Sequence, residues 1–175
     1  MQFQTGSLAK REDLKIREVE FGGLGKDKLL AKLKDASIQL NENAEILLSS
    51  ELFVTSRQRQ IASVIEISIN DLGFPDGANL GEIGIRAREL GLRECPIELG
   101  PHFRLQYLDQ VEKKEISKNK APKSSVTVVS KPLLDSDDFP KGFYLRRIDG
   151  KLWLRGYTCD MEYKWEPLDI LAFLV

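Results

Sequence analysis

The stretch FYLRRIDGKLWLRGY, residues 143–157, decides the fold of this chain. Its central Asp-Gly dipeptide stands between two runs of aromatic and aliphatic residues, which is the strongest local signal for a β-hairpin with a two-residue turn. A turn of that length fixes which residues lie opposite each other. The predicted pairs are Ile148 with Lys151, Arg147 with Leu152, Arg146 with Trp153, Leu145 with Leu154, and Tyr144 with Arg155.

This pairing assigns every hairpin side chain to one of two faces. One face is apolar and is expected to lie on the core: Phe143, Leu145, Leu152 and Leu154, with Arg147 at its end. The other face interleaves aromatic rings with cations: Tyr144, Arg146, Lys151, Trp153, Arg155 and Tyr157. Rings on a sheet can stack on a flat ligand, at about 1–3 kcal/mol per nucleic-acid base, and guanidinium groups can neutralise a phosphate or a carboxylate.

We call the four central residues of the second face, Tyr144, Arg146, Trp153 and Arg155, the hairpin platform. The expected ligand is an anionic small molecule or a protein partner. Nucleic acid is less favoured because 26 Lys and Arg residues are balanced by 27 Asp and Glu residues, which leaves no whole-molecule field to attract it. Two structural roles are also open, namely a face covered by a helix or a solvated face on which Arg146 stacks on Trp153.

Outward from the hairpin, the sequence predicts an α+β fold with short amphipathic helices packed on a mainly antiparallel sheet. Apolar spacing predicts one helix that begins near Asp27 and a second that follows Asn41 and reaches Leu52. Asn79 and Glu82 have the spacing of a capping box, which predicts the start of a third helix. We expect Ile83, Ala87 and Leu90 of the third helix to pack on the strand that contains Ile65 and Ile67. Further strands are predicted at 61–69, 103–107, 126–129 and 171–175.

The sequence predicts one domain at residues 26–175, preceded by an N-terminal arm at 1–25 that contains at most one short strand. A Lys-rich segment at 111–125 is expected to be a mobile loop. The longest apolar run, Ile170–Val175, is too short to cross a bilayer, and no membrane association is expected. Because no secretory signal is visible and the two cysteines lie 64 positions apart, we expect reduced thiols and a cytoplasmic protein.

A second candidate site surrounds the Gly-Pro turn at 100–101, where Glu98, His102 and Arg104 are close in sequence. There the imidazole could act as a general base, the carboxylate could orient it, and the guanidinium could hold an anion. The alternative is that Glu98 pairs with Arg104 across the turn. His102 is the only histidine and the glycines before Lys26 do not fit a phosphate loop, so no metal and no cofactor are predicted.

Three stretches also carry a resemblance: LGEIGIRARELGLRECPIELGPHFRLQYLDQ, LLAKLKDASIQLNENAEILL and DDFPKGFYLRRIDGKLWLRGY. Through them the chain resembles a family of uncharacterised bacterial proteins over most of residues 22–157. The resemblance implies a bacterial source and one integrated domain, with no activity, cofactor or site residue to transfer. The leading hypothesis is therefore a non-catalytic binding module, and the alternative is a small enzyme that uses Glu98, His102 and Arg104.

Overall fold

The computed structural model describes residues 14–114 and 124–175, and within them it has four helices and one seven-stranded sheet. The strands are β1 (Lys15–Phe21), β2 (Gln39–Leu40), β3 (Gln60–Ser68), β4 (Val126–Val128), β5 (Gly142–Ile148), β6 (Lys151–Tyr157) and β7 (Ile170–Leu174). The helices are α1 (Lys26–Asp35), α2 (Glu42–Ser49), α3 (Leu80–Glu89) and α4 (Leu99–Gln106). The strand order is β1-β3-β7-β4-β5-β6-β2.

The pairing of the strands confirms the α+β class with a mainly antiparallel sheet. The pairs β1–β3, β3–β7, β4–β5 and β5–β6 are antiparallel, whereas β4–β7 and β2–β6 are parallel. The strands predicted in β3, β4 and β7 are present. The two-residue strand β2 was not predicted, because two residues are too few to show an alternating pattern.

The sheet buries apolar residues on both of its faces. On the first face, α1, α2 and α4 contribute residues such as Leu47 and Phe103, which pack with Phe143 and Leu145 of the hairpin. On the second face, α3 packs on β3 and β7. As predicted, Ile83 and Ala87 of α3 share a core with Ile65 and Ile67, while Leu90 is only half-buried at the edge of this core.

Side-chain caps begin two of the helices, as the sequence predicts. The Asn41 Oδ1 atom accepts a hydrogen bond from the Ala44 N–H at 3.0 Å and so caps α2. Asn79 and Glu82 form both hydrogen bonds of a capping box at the start of α3. The apolar face predicted for α2 extends too far, because the helix ends at Ser49 and Leu52 is 49% exposed.

The strand predicted at 103–107 is wrong, because this segment belongs to α4 and the residue that follows it. The alternation of Phe103, Leu105 and Tyr107 suggested a strand. In the structure Phe103 and Tyr107 instead form a pair four residues apart, with ring centroids 5.3 Å apart and planes 15° apart. Helix α4 also lies very close to β5, since a Cβ atom on Gly100 would come within 2.8 Å of the Phe143 ring. That close approach was not visible in the sequence.

The segment predicted as an arm contributes β1, which pairs along its whole length with β3 at one edge of the sheet. Residues 1–13 of the arm and residues 115–123 of the predicted Lys-rich loop lie outside the described residues. Within the described residues, no helix is both long and apolar enough to cross a membrane.

Candidate ligand-binding face

The hairpin that carries the platform has the predicted register. All five predicted pairs are present, and the ribbon extends further through Phe143–Gly156 and Gly142–Tyr157. Asp149 and Gly150 have φ values of 49° and 71°, and positive φ at both turn positions is typical of a type I′ turn. The hairpin geometry was therefore predictable from a local signal alone.

The tip of the hairpin is held by Glu112, a residue that no local sequence pattern identifies. The Glu112 carboxylate accepts hydrogen bonds from the backbone N–H groups of Asp149 at 2.7 Å and Gly150 at 3.0 Å. Both hydrogen bonds lower the pKa of Glu112, and the one from Gly150 has the larger effect. An acceptor that lies far from the turn in sequence carries no local signal, which is why it was not identified.

The four platform residues form two neighbouring cross-strand pairs, each made of one cation and one ring. The Arg146 Cζ atom lies 5.9 Å from the ring centroid of Trp153, and the Arg155 Cζ atom lies 5.3 Å from the same ring. Arg155 also lies over the Tyr144 ring at 6.0 Å. Arg155 thus contacts both rings and Arg146 contacts one, and each cation lies within the distance at which a ring face attracts it.

The platform lies on the second face of the sheet and is half-buried. The apolar side of the same hairpin is filled as predicted, with Phe143, Leu145 and Leu154 at most 1% exposed. The helices that contact β5 and β6 are α2 and α4, which belong to the first face, whereas α3 covers β3 and β7. Among the described residues, no helix therefore covers the platform.

The platform carries buried hydrogen-bond donors without acceptors. Within residues 14–114 and 124–175, the Nε atoms of Arg146 and Arg155 and the Nε1 atom of Trp153 have no hydrogen-bond partner. Most buried polar atoms in proteins are paired, so three unpaired donors on one small surface are unusual.

The two outer members of the predicted face behave differently from the platform. Lys151 is exposed beside the turn. Tyr157 packs against Trp165, with ring centroids 5.6 Å apart and planes at 89°. Tyr157 thus joins a separate aromatic cluster, which the hairpin pattern could not reveal because Trp165 comes from another part of the chain.

The residues of the second candidate site do not converge on one spot. Glu98 and His102 lie four residues apart on one side of α4, whereas Arg104 lies on the opposite side. Glu98 binds Ser56, through the Ser56 N–H at 2.9 Å and through its hydroxyl. The predicted alternative, an ion pair between Glu98 and Arg104, is wrong, because each residue has other partners on a different side of the helix.

Arg104 is fully buried and its guanidinium serves a structural network. It donates to the Tyr107 carbonyl and to the Gln110 Oε1 atom at 2.5 Å. Gln110 in turn donates to the Leu145 carbonyl at 3.0 Å, which ties the end of α4 to β5. Burial lowers the pKa of Arg104 to about 10. Tyr107 acts to raise this pKa, and the charge of Arg147 lowers it by a smaller amount.

His102 faces a different cavity from the one expected. Its Nε2 atom accepts a hydrogen bond from the Gly22 N–H at 3.3 Å, and the cavity beside it is also lined by Glu20, Lys32 and Arg59. Burial lowers the pKa of His102, with Glu98 raising it and Lys32 lowering it further. Neither Glu98 nor Arg104 lines this cavity, so the proposed base, orienting group and anion clamp are not assembled in one place.

The described residues contain no group of three or more His, Cys, Asp or Glu side chains that could hold a metal ion. Cys95 and Cys159 are free and buried. Burial raises the pKa of Cys95 to about 12, with a further rise from Glu94, so this thiol is protonated and unreactive near neutral pH.

Comparisons of the chain with protein-family models, with curated proteins and with solved structures give no match. They therefore name no activity, cofactor or partner.

Proposed function

We propose that this protein is a non-catalytic binding module that holds an anionic, flat ligand on the hairpin platform. The observation that carries the proposal is the cluster of two guanidinium groups and two rings on a half-buried sheet face that none of the described helices covers. The rings provide surfaces for stacking, while the guanidinium groups provide charge and directed hydrogen bonds for a phosphate or a carboxylate.

The same proposal places the protein in a bacterial cytoplasm. The resemblance to bacterial sequences supports the source. The two free cysteines support the compartment, because buried, unpaired thiols are typical of proteins that work in a reducing environment.

The platform can be tested by the fluorescence of Trp153. The chain has two tryptophans, so a Trp165→Phe variant leaves Trp153 as the only one. We expect nucleotides, aryl phosphates or single-stranded oligonucleotides to quench Trp153, because a ring that stacks on the indole changes its emission. Added salt should weaken the binding, since charge attraction on an accessible face is screened.

Arg155→Ala in the same background tests the cation. We expect it to weaken binding about tenfold, the order expected for the loss of one charge-assisted hydrogen bond, and to lower the free energy of unfolding by about 1 kcal/mol, because the cation–π contacts with Trp153 and Tyr144 are also lost. The matched control is Arg57→Ala, which removes the same charge from an exposed site and should leave binding unchanged. Equal effects of the two variants, or no response of Trp153 to any of these ligands, would exclude the platform as a binding surface.

A further inference from the structure

A cavity of about 310 Å³ opens on the second face beside the platform. Four aromatic residues line it: Tyr144, Tyr157, Tyr163 and Trp165. Its volume lies at the lower end of the range of about 300–1,000 Å³ found for small-molecule sites. The proposed function does not use this cavity, although Tyr144 borders both surfaces.

The rings form adjoining walls. The plane of Trp165 is at 89° to that of Tyr157 and at 79° to that of Tyr163, with centroid separations of 5.6 and 5.3 Å. Two backbone hydrogen bonds between Trp165 and Ala78, at 2.8 and 3.2 Å, fix the main chain that carries the indole. Perpendicular walls of this kind present several ring faces and edges to one small volume.

One negative group accompanies the rings. Asp169 is the only charged side chain among the described residues that line the cavity. Its Oδ2 atom accepts a hydrogen bond from the Glu166 N–H at 2.8 Å, which orients the carboxylate. Burial raises the pKa of Asp169. The hydrogen bond from the Glu166 N–H opposes this rise, and the charge of Glu166 adds to it. A cation at this position would therefore stabilise the ionised carboxylate.

A deeply buried donor also lies at this cavity. Trp165 is 6% exposed, and its Nε1–H has no hydrogen-bond partner among the described residues. The Ser125 hydroxyl, on the same cavity wall, likewise lacks a partner there. Both atoms are buried from solvent, so the rings and Asp169, which are half-buried or line the opening, are the groups that a ligand in the cavity contacts.

We propose that the cavity is an aromatic cage that binds a methylated ammonium group against Asp169. The electron-rich faces of several rings attract a positive charge, and methyl groups on the nitrogen reduce the cost of removing that charge from water. A carboxylate without any neighbouring cation in the lining adds charge complementarity for a cation and opposes an anion. The ligand class therefore differs from that of the platform.

The test compares choline with dimethylbutanol, in which a carbon atom replaces the charged nitrogen of choline and the shape is kept. A Trp153→Phe variant leaves Trp165 as the only tryptophan, so its fluorescence reports on the cavity. We expect choline to change the emission of Trp165 saturably and dimethylbutanol to bind at least about tenfold more weakly, because the attraction depends on the charge. Equal binding of the two compounds, or binding of neither, would overturn the cage.

Three substitutions at two positions test the walls in the same background. Asp169→Asn keeps an acceptor for the Glu166 N–H but removes the charge, and we expect it to weaken choline binding about tenfold. Tyr163→Phe keeps the ring and should retain binding, whereas Tyr163→Leu removes the ring and should weaken it. Equal affinities for the Phe and Leu variants would show that the ring face is not used. If the Leu variant does not fold, the Asp169→Asn result decides the question.

A methylated ammonium group can belong to a free small molecule or to a trimethylated lysine side chain. A short peptide that contains trimethyllysine distinguishes the two sources. We expect choline to bind at least as tightly as the peptide, which identifies a free ligand. Much tighter binding of the peptide would overturn the assignment to a small molecule while leaving the chemistry of the cage intact.

Discussion

At the scale of single residues, His102 couples stability to pH. Its Nε2 atom must be unprotonated to accept the Gly22 N–H, and burial lowers its pKa below the ordinary value of 6.5. Between the lowered pKa and 6.5 the unfolded chain binds more protons than the folded chain. The stabilisation is therefore complete above pH 6.5 and is lost as the pH falls below it.

We expect the wild-type protein to lose stability between about pH 7 and about pH 5.5, and a His102→Gln variant to lose less, because glutamine can accept the same hydrogen bond without titrating. Urea denaturation at the two pH values measures the difference. Because the chain has one histidine, the comparison isolates this ring from the effect of carboxyl groups. An identical pH dependence in both proteins would contradict the role of His102.

Two apolar residues of α3 should differ in their contribution to stability. Ile83 is fully buried against β3 and β7, whereas Leu90 is half-buried at the end of the helix. We expect Ile83→Ala to lower the free energy of unfolding by about 2–5 kcal/mol and Leu90→Ala by less than about 2 kcal/mol, since the cost follows the cavity that is created. Chemical denaturation of the two variants measures this, and equal losses would show that α3 is seated differently.

At the scale of elements, Asn41 links α2 to β6. Its Oδ1 atom accepts from the Ala44 N–H and, at 2.8 Å, from the Gly156 N–H, while its Nδ2 atom donates to the Gly156 carbonyl at 3.0 Å. The approach is so close that a Cβ atom on Gly156 would lie 2.6 Å from the backbone of Asn43. One side chain therefore caps the helix and joins it to the hairpin.

We expect Asn41→Ala to lower the free energy of unfolding by about 2–3 kcal/mol, because it removes a helix cap and two hydrogen bonds between elements. Asn41→Asp keeps both acceptor contacts but sets a carboxylate oxygen against the Gly156 carbonyl in place of the donor, and we expect its loss to be smaller than that of Asn41→Ala because the helix cap remains. Thermal and urea denaturation measure both variants. If the two substitutions have the same effect, the acceptor contacts do not contribute as described.

Elements with a local signal could be predicted and those set by distant contacts could not. The type I′ turn at Asp149 and Gly150 fixes the hairpin, and the capping box at Asn79 fixes the start of α3. Helix α4 was mistaken for a strand because Phe103, Leu105 and Tyr107 alternate, while the contact that seats the helix is with Phe143, forty residues after Phe103. Alternation over three apolar residues cannot distinguish a strand from two turns of a helix.

At the scale of the whole molecule, the platform could be placed from the sequence and the neighbouring cavity could not. The platform residues all belong to one hairpin, so their common face follows from its register. The cavity combines Tyr144 and Tyr157 with Tyr163, Trp165 and Asp169, which lie on the connection to β7. Nothing in the local pattern of that connection indicates that it folds back onto the second face.

The central position of β7 also affects how the chain acquires its structure during synthesis. Among the described strands β7 is made last, yet it lies between β3 and β4. Until β7 has emerged from the ribosome, the β1–β3 ribbon and the sheet of β4, β5 and β6 have no strand to join them, and each presents an open edge. Such edges can pair with other chains, so we expect the incomplete sheet to be prone to aggregation until β7 is inserted.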